Sequence, residues 1–347
     1  FGSSRSGFRA SSPSLLRAGF ADLVAMTSQE DGTEKTSDEY SKTMMAKMGS
    51  TLEYKHEDGM NYARVSPKLF VGSCLQTAKD VETLHGEKVG VVFCLQEDKD
   101  MKHFDLDIEP IQKRAAELGI AHVREPIQDF DPLSLRRRLP AAVRRLAQEL
   151  VARKEDEYAY IHCTAGLGRA PGTALAYMFW VDGRCLDEAY KSMYEVRRCH
   201  PQIGMIRAAT CDMLSGEEGG LGGLVPTRIE IAREGASVVE IAGLDVGWKG
   251  QRLVLEKDAT IGKFVLNRGL PAGTYQYKFV VDGEWQACTE LPTVVDNGNL
   301  NNVVEVAPDP SSPDAERRTR IMADGGRPNE EELAKIRAYL LGASPAA

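Results

Sequence analysis

The strongest chemical signal in the chain is a cysteine and an arginine separated by five residues, in His162-Cys163-Thr164-Ala165-Gly166-Leu167-Gly168-Arg169. The run falls where a strand-like stretch, Tyr158–His162, gives way to a helix-like one, Ala170–Val181. In that setting Gly166 and Gly168 are expected to take left-handed backbone angles that turn successive N–H groups inward, and the helix start adds its positive end. The product is a cradle for phosphate. Arg169 can grip two phosphate oxygens in its planar fork, while the inward dipoles favour Cys163 as a thiolate nucleophile beneath them. Thr164, Ala165, Gly166, Leu167 and Gly168 supply the loop amides. A buried cysteine beside an unrelated turn would lack the strand–turn–helix setting.

Thiolate attack on a phosphate ester also needs an acid, to protonate the leaving oxygen and later to activate water. Asp129 and Asp131, in Ile127-Gln128-Asp129-Phe130-Asp131-Pro132, precede the helix-like Leu133–Lys154. Residue type alone suits either for the acid, and either for the cap of that helix.

These residues need a scaffold. The short apolar runs Leu69–Gly72, Val89–Leu95, Ala121–Val123 and Tyr158–His162 alternate with helix-like Thr77–Leu84, Pro110–Leu118 and Leu133–Lys154. Such alternation predicts an α/β layer with a largely parallel sheet, closed by helical Ala170–Val181, Leu186–Arg198 and Ile203–Leu214. The glycine-dense Gly216–Gly223 reads as a linker. Beyond it, Arg228–Ala232, Val238–Ala242, Arg252–Glu256, Lys263–Asn267 and Tyr275–Val281 are β-branched or aromatic and punctuated by Gly and Pro, as in a small antiparallel sandwich. Tyr275, Tyr277 and Phe279 alternate with polar residues and are expected to face its core. Trp248 and Trp285 sit in loop-like positions, where an indole can lie under a sugar ring or plug the core. Leu333, Ile336, Leu340 and Leu341 fall at helical spacing in Asn329–Leu341, a terminal helix expected to pack back on a domain.

At 347 residues, 42% apolar and 27% charged, the chain exceeds what one core usually organises, so two domains with tails are expected. A formal charge of −8 argues against nucleic acid as the main partner, and no apolar run is long enough to span a membrane. The seven cysteines lack zinc-type spacing, so neither metal nor organic cofactor is expected. Arg5, Arg9 and Arg17, with no acid before Asp22, have the composition of an organellar transit peptide; the other reading is that translation starts at Met26.

The motifs Met60-Asn61-Tyr62, Val71-Gly72-Ser73-Cys74-Leu75-Gln76-Thr77, Phe93-Cys94-Leu95-Gln96, His162 through Pro171, and Tyr177-Met178-Phe179-Trp180 resemble the plant starch-excess glucan phosphatases. The animal glycogen phosphatase laforin is a more distant relative, with its domains in the opposite order. The resemblance runs over about residues 40 to 341 and implies a dual-specificity phosphatase domain with a mostly parallel α/β sheet flanked by helices. An all-β, immunoglobulin-like carbohydrate-binding module and a C-terminal helix follow. The implied divisions are a plastid transit peptide (1–26), a flexible segment (27–53), the phosphatase domain (54–216), a linker (217–225), the binding module (226–308) and a tail (309–347).

The resemblance implies that Asp129, ten residues before Leu139-Pro140, is the acid, and that Phe130 lines a glucan channel. Its variable loop falls at His103-Phe104 and a further channel position at His200; histidine stands at two positions where the family has aromatic hydrophobes. Ala170 replaces the Ser or Thr that follows the arginine in protein-directed phosphatases, as it does in the starch-excess type. The second domain resembles the module shared by AMP-activated kinase β subunits and starch-branching enzymes, which implies a sugar site at Trp248, Lys278, Trp285 and Asn302. The implied partner is phosphorylated starch or amylopectin in the plastid; the sequence leaves the oligomeric state open, with a monomer favoured. Finally, Cys94 ends a strand whose C-terminus gathers with the phosphate loop in a parallel sheet, so a reversible Cys94–Cys163 disulfide is expected.

Overall fold

The computed structural model of the chain describes residues 35–215, 223–248, 251–296 and 298–342. The expected transit peptide and most of the expected linker lie outside the described residues.

Helix α1 covers residues 35–48, where the sequence suggested a flexible approach. Its composition is polar, but one face carries Tyr40 and Met44, both buried, and that contact orders it. The first domain then runs β1 (Tyr62–Arg64), β2 (Leu69–Gly72), α2 (Ala78–Gly86), β3 (Val89–Cys94), α3 (Asp98–His103), α4 (Glu109–Glu117), β4 (Ala121–Arg124), α5 (Pro132–Val151), β5 (Tyr158–His162), α6 (Arg169–Trp180), α7 (Leu186–Val196) and α8 (Ile203–Ser215). The sheet order is β1-β2-β5-β3-β4, parallel except for the edge strand β1. Because β2, β3 and β5 are buried on both faces, they read as unbroken apolar runs, β5 up to His162. Leu135, Leu139, Val143 and Leu146 of α5 pack on one face with α6; Val81, Leu84 and Ile111 from α2 and α4 cover the other.

The second domain is a sandwich of β6 (Leu224–Ile231), β7 (Val239–Gly243), β8 (Leu253–Val254), β9 (Glu256–Asp258), β10 (Lys263–Pro271), β11 (Gly273–Val281), β12 (Glu284–Gln286), β13 (Thr293–Asp296) and β14 (Asn299–Val306). One sheet is β6-β10-β9; the other is β13-β14-β11-β7-β8, with β12 on β11. The stretch Arg252–Glu256 is not one strand: buried Leu255 separates β8 and β9, which join different sheets. Tyr275, Tyr277 and Phe279 do face the core. Helices α9 (Pro313–Met322) and α10 (Glu330–Leu341) follow. Asn329 and Glu332 form a reciprocal cap that starts α10. Ile336 and Leu340 of α10 enter the phosphatase core, whereas Leu341 faces solvent.

Buried Arg136 of α5 joins the domains. It holds Asp212 of α8 through two hydrogen bonds of 2.6 Å and donates to the Ala272 carbonyl of the sandwich at 2.9 Å. Arg137 donates to the Asp245 carbonyl, and Leu133 packs against the sandwich core.

Candidate active site

The phosphate loop spans the gap between β5 and α6. Gly166 has φ +67°, and a Cβ there would come within 2.2 Å of the Gly72 carbonyl, so only glycine fits. Gly168 differs from expectation: its φ of −121° caps α6 without a left-handed turn. Arg197 braces the loop from α7's end, donating to the carbonyls of Gly166 at 2.9 Å and Ala165 at 3.1 Å, and to Asn61 Oδ1 at 2.8 Å. The Cys74 amide donates to the Thr164 carbonyl at 2.8 Å. Cys163 is 2% exposed at the bottom of the pocket.

Arg169 organises everything above the loop. Its Nη1 donates to Asp100 Oδ2 at 2.5 Å and to the Ile127 carbonyl at 2.9 Å; its Nη2 donates to Asp129 Oδ2 at 2.6 Å and to Thr164 Oγ1 at 3.2 Å. Its Nε is buried with no hydrogen-bond partner. Burial alone would disfavour the cation, but Asp129, Cys163 and Asp100 raise its pKa well above the ordinary value. The open Nε is a donor waiting for an acceptor, since an unpaired buried N–H costs free energy.

The two candidate acids separate. Asp131 accepts from the Ser134 amide at 2.9 Å and caps α5, with Pro132 in the first turn. Asp129 instead turns to Arg169. Phe130 between them has φ +58°, an uncommon conformation for a bulky residue, and it lines the pocket that holds Cys163. Asp129 Oδ2 also accepts from the Tyr40 hydroxyl at 2.7 Å. Burial first, then Asp129, push the Tyr40 phenol well above its usual range, so it stays a donor.

An aromatic wall rises beside the loop. Phe104 stacks on His56 at 4.5 Å and meets Tyr40 at 5.7 Å; His103 is exposed and meets Phe104 at 4.9 Å. His200 also lines the pocket, and its backbone N–H donates a hydrogen bond to the Leu167 carbonyl at 2.7 Å. Cys94 pairs in register with His162, one residue from Cys163. Both thiols are free, and burial pushes that of Cys94 up to about 11. Burial likewise pushes His162 down to about 3, with Nε2 unpartnered.

On the sandwich, Trp248 and Trp285 are 43% and 47% exposed, so neither plugs the core. Gly243, at φ +93°, lets the Trp248 ring approach; a Cβ there would lie 3.3 Å from it. The Arg252 guanidinium sits 5.2 Å from the Trp285 ring. Trp285 pairs with Val280, so it shares a face with Lys278. Asn302 departs from expectation. It is 0% exposed, accepts from the Cys288 amide at 2.9 Å and donates to the Cys288 carbonyl at 2.7 Å, and so organises a loop from inside. Strand alternation puts its neighbour Asn301 on the Lys278 face, bonded to Gln276 Oε1 at 2.8 Å.

Arg197, Asp100, Tyr40 and Asn301 escaped sequence reasoning. Asp100 alone left a trace, as the third residue of the cap that starts α3.

Comparison with known proteins agrees with both halves. Residues 63–216 match the family described as Swiss Army Knife protein, DSP-PTPase phosphatase domain, and residues 225–312 match the glycogen recognition site of AMP-activated protein kinase. The phosphoglucan phosphatase DSP4 of the amyloplast, from Castanea sativa, is 42% identical over 91% of this chain and 83% of its own. The chloroplastic phosphoglucan phosphatase LSF1 of Arabidopsis thaliana is 28% identical over 78% of this chain and 45% of its own. Among solved structures, the Cydia pomonella PTP-2 phosphatase aligns with a TM-score of 0.33 and 23% identity, over 41% of this chain and 83% of its own.

Proposed function

Because the chain belongs to the phosphoglucan phosphatase family, we propose that it hydrolyses phosphate monoesters on amylopectin-type glucan through a phosphocysteine, with Cys163, Arg169 and Asp129 as the reacting trio. The observation that carries this is Arg169: Asp100 and Asp129 fix its two Nη atoms, Nη2 reaches Thr164 of the loop that holds Cys163, and its buried Nε has no partner of its own.

The chemistry follows from the placement. The Cys163 thiolate attacks phosphorus in line, an S–P bond forms, and the P–O bond to the sugar breaks. Asp129 delivers the proton that the departing glucosyl oxygen needs. Arg169 and the inward amides hold the equatorial oxygens, where charge is spread in the transition state. A water then gives its proton to Asp129 and attacks phosphorus, releasing inorganic phosphate and the thiolate.

Phe130, Phe104, His103 and His200 form the walls along which a glucan chain lies, with aromatic faces against sugar rings. Trp248, Trp285, Lys278 and Asn301 hold the chain on the sandwich; Asn302 supports that surface from within. Ala170 after the arginine, an alanine that the starch-excess type shares, supports the glucan reading. The enzyme acts in a plastid on starch. It works as a monomer, with residues 54–216 carrying the chemistry and 226–308 the targeting. Its charge of −8 suits a polymer of modest charge better than a nucleic acid, and among the described residues no helix is long and apolar enough to cross a membrane.

The direct test is phosphate release from solubilised amylopectin beside release from para-nitrophenyl phosphate. Turnover of the aryl ester with none from amylopectin would remove the glucan reading and keep the thiolate mechanism.

A further inference from the structure

Helix α1 is anchored at two places of different character. Along one side, Ser37 Oγ donates to Glu57 Oε2 at 2.7 Å and accepts from the His56 amide at 2.9 Å, and Ser41 Oγ accepts from the Tyr54 amide at 3.0 Å. Along the other, it enters the channel. The Tyr40 ring lies 5.2 Å from Phe130, 5.7 Å from Phe104 and 6.4 Å from His103, and it joins Ala165 and Leu167 of the phosphate loop in one apolar cluster. Met44 and Met48 line the same pocket as Cys163, Arg169 and His200.

Tyr40 therefore occupies space among Phe104, Phe130 and the phosphate loop, the walls that the glucan reading assigns to sugar rings. Its hydroxyl bonds the Asp129 oxygen that Arg169 also holds, the position a leaving-group oxygen must take. A phenol and a glucosyl oxygen cannot share it. Tyr40 is 8% exposed, held within this cluster and lining the same pocket as Cys163.

We propose that α1 is an internal competitor of the substrate, and that Tyr40 sets specificity by admitting a phosphoester only when the rest of the molecule displaces the helix. The proposal rests on the glucan reading above. A chain long enough to cover Phe104, Phe130 and His200 gains contacts that replace those of Tyr40, so part of its binding free energy offsets the displacement. A small aryl phosphate reaches only the cradle and meets the whole cost. Selectivity then arises as a difference between two substrates and not as tighter binding of either.

The test uses the full chain with Tyr40→Ala and, separately, with Ser37→Ala and Ser41→Ala together, which loosen α1 without touching the channel. The kcat/KM is measured on para-nitrophenyl phosphate and on a soluble phosphorylated glucan. Both variants should raise aryl phosphate turnover by roughly tenfold, the equivalent of about 1.4 kcal/mol of released displacement cost, and change glucan turnover far less. Loss of activity on both substrates alike would make Tyr40 a fixed partner of Asp129 and overturn the proposal, as would an unchanged ratio in both variants. If Tyr40→Ala misfolds by circular dichroism, the serine pair decides. Hydrogen exchange gives a readout apart from turnover: a saturating long malto-oligosaccharide should speed exchange at residues 35–48 in the wild type, and unchanged exchange would overturn the idea. Wild-type enzyme inert on glucan but active on the aryl ester would defeat the function, not this mechanism of exclusion.

Discussion

Side chains from α3, the loop before α5 and the phosphate loop converge on the Arg169 guanidinium, Tyr40 of α1 bonds the same Asp129 oxygen, and almost every donor is engaged. On the sandwich, Trp248 and Trp285 stand half in water on a hydrogen-bonded sheet, with few polar contacts of their own. The first site is buried and mutually dependent; the second is exposed and locally supported. Buried charges tolerate the loss of a partner badly, because the remaining one stays desolvated. A stacking platform loses contact area and little else. Changes in the cradle should therefore abolish chemistry, and changes on the sandwich should alter only which substrates are reached.

Cys163→Ser offers the largest contrast. It should lower kcat to below about a hundredth of wild type on every substrate, since a serine hydroxyl is not ionised at neutral pH. Starch sedimentation should still bring the protein down. Residual turnover above that level would defeat the cysteine mechanism.

Asp129→Asn sharpens the assignment within the cradle. Glucan turnover should fall by roughly 10²–10⁴ fold, whereas para-nitrophenyl phosphate, whose leaving group needs little protonation, should lose much less. Equal losses would mean that Asp129 acts on Arg169 rather than on the leaving oxygen. An Asp131→Ala change should weaken only the α5 cap, by about 1 kcal/mol of stability.

On the other side of the comparison, Trp248→Ala with Trp285→Ala should spare aryl phosphate turnover and cut release from insoluble starch by about 10² fold, because an anchored substrate is presented at high effective concentration. Parallel losses on both substrates would make the tryptophans structural.

A smaller effect separates the two sites by redox behaviour. Hydrogen peroxide can oxidise the Cys163 thiolate to a sulfenic acid, releasing hydroxide; attack by Cys94 then expels water and forms a disulfide, protecting the nucleophile. After peroxide and then dithiothreitol, wild type should recover several-fold more activity than Cys94→Ser. Equal recovery would remove the bridge, and starch binding should be indifferent to either treatment.

The smallest effect is a pH dependence of stability that belongs to the first domain. His162 and His122 are held by burial at about 3 and about 4, below the unfolded value of 6.5. Between those limits the unfolded chain binds protons that the folded one does not, so stability falls as pH drops from 6.5 toward 4. The loss at pH 5 should be on the order of 1–2 kcal/mol for His162. Urea midpoints at pH 7 and pH 5 check it, and a His122→Gln variant should show a shallower slope. No change of midpoint would mean that both imidazoles gain water or partners on protonation.

Some of this was legible because it is local. The cradle is eight consecutive residues whose glycines, strand and helix announce themselves in order, and burial on both faces makes β2 and β3 apolar throughout and β5 so up to His162. The sandwich likewise shows in the alternation of Tyr275, Tyr277 and Phe279. What resisted reading was phase and distance. Asn301 and Asn302 are the same residue type at adjacent positions, and only the register of β14 against β11 decides which one faces the core.

Distance mattered more. Tyr40 and Asp129 are 89 positions apart, and Arg169 meets Asp100 across 69. Nothing in composition links such residues, so residues 35–48 read as a polar tail although a helix forms there. The sequence by itself determined the nucleophile, the phosphate loop and the two layers that carry them, because each depends on neighbours along the chain. Only the tertiary structure decided which acid turns to Arg169, which asparagine enters the sandwich core, and that α1 packs against the phosphate loop. Those outcomes depend on which surfaces meet once the sheet has brought distant segments together.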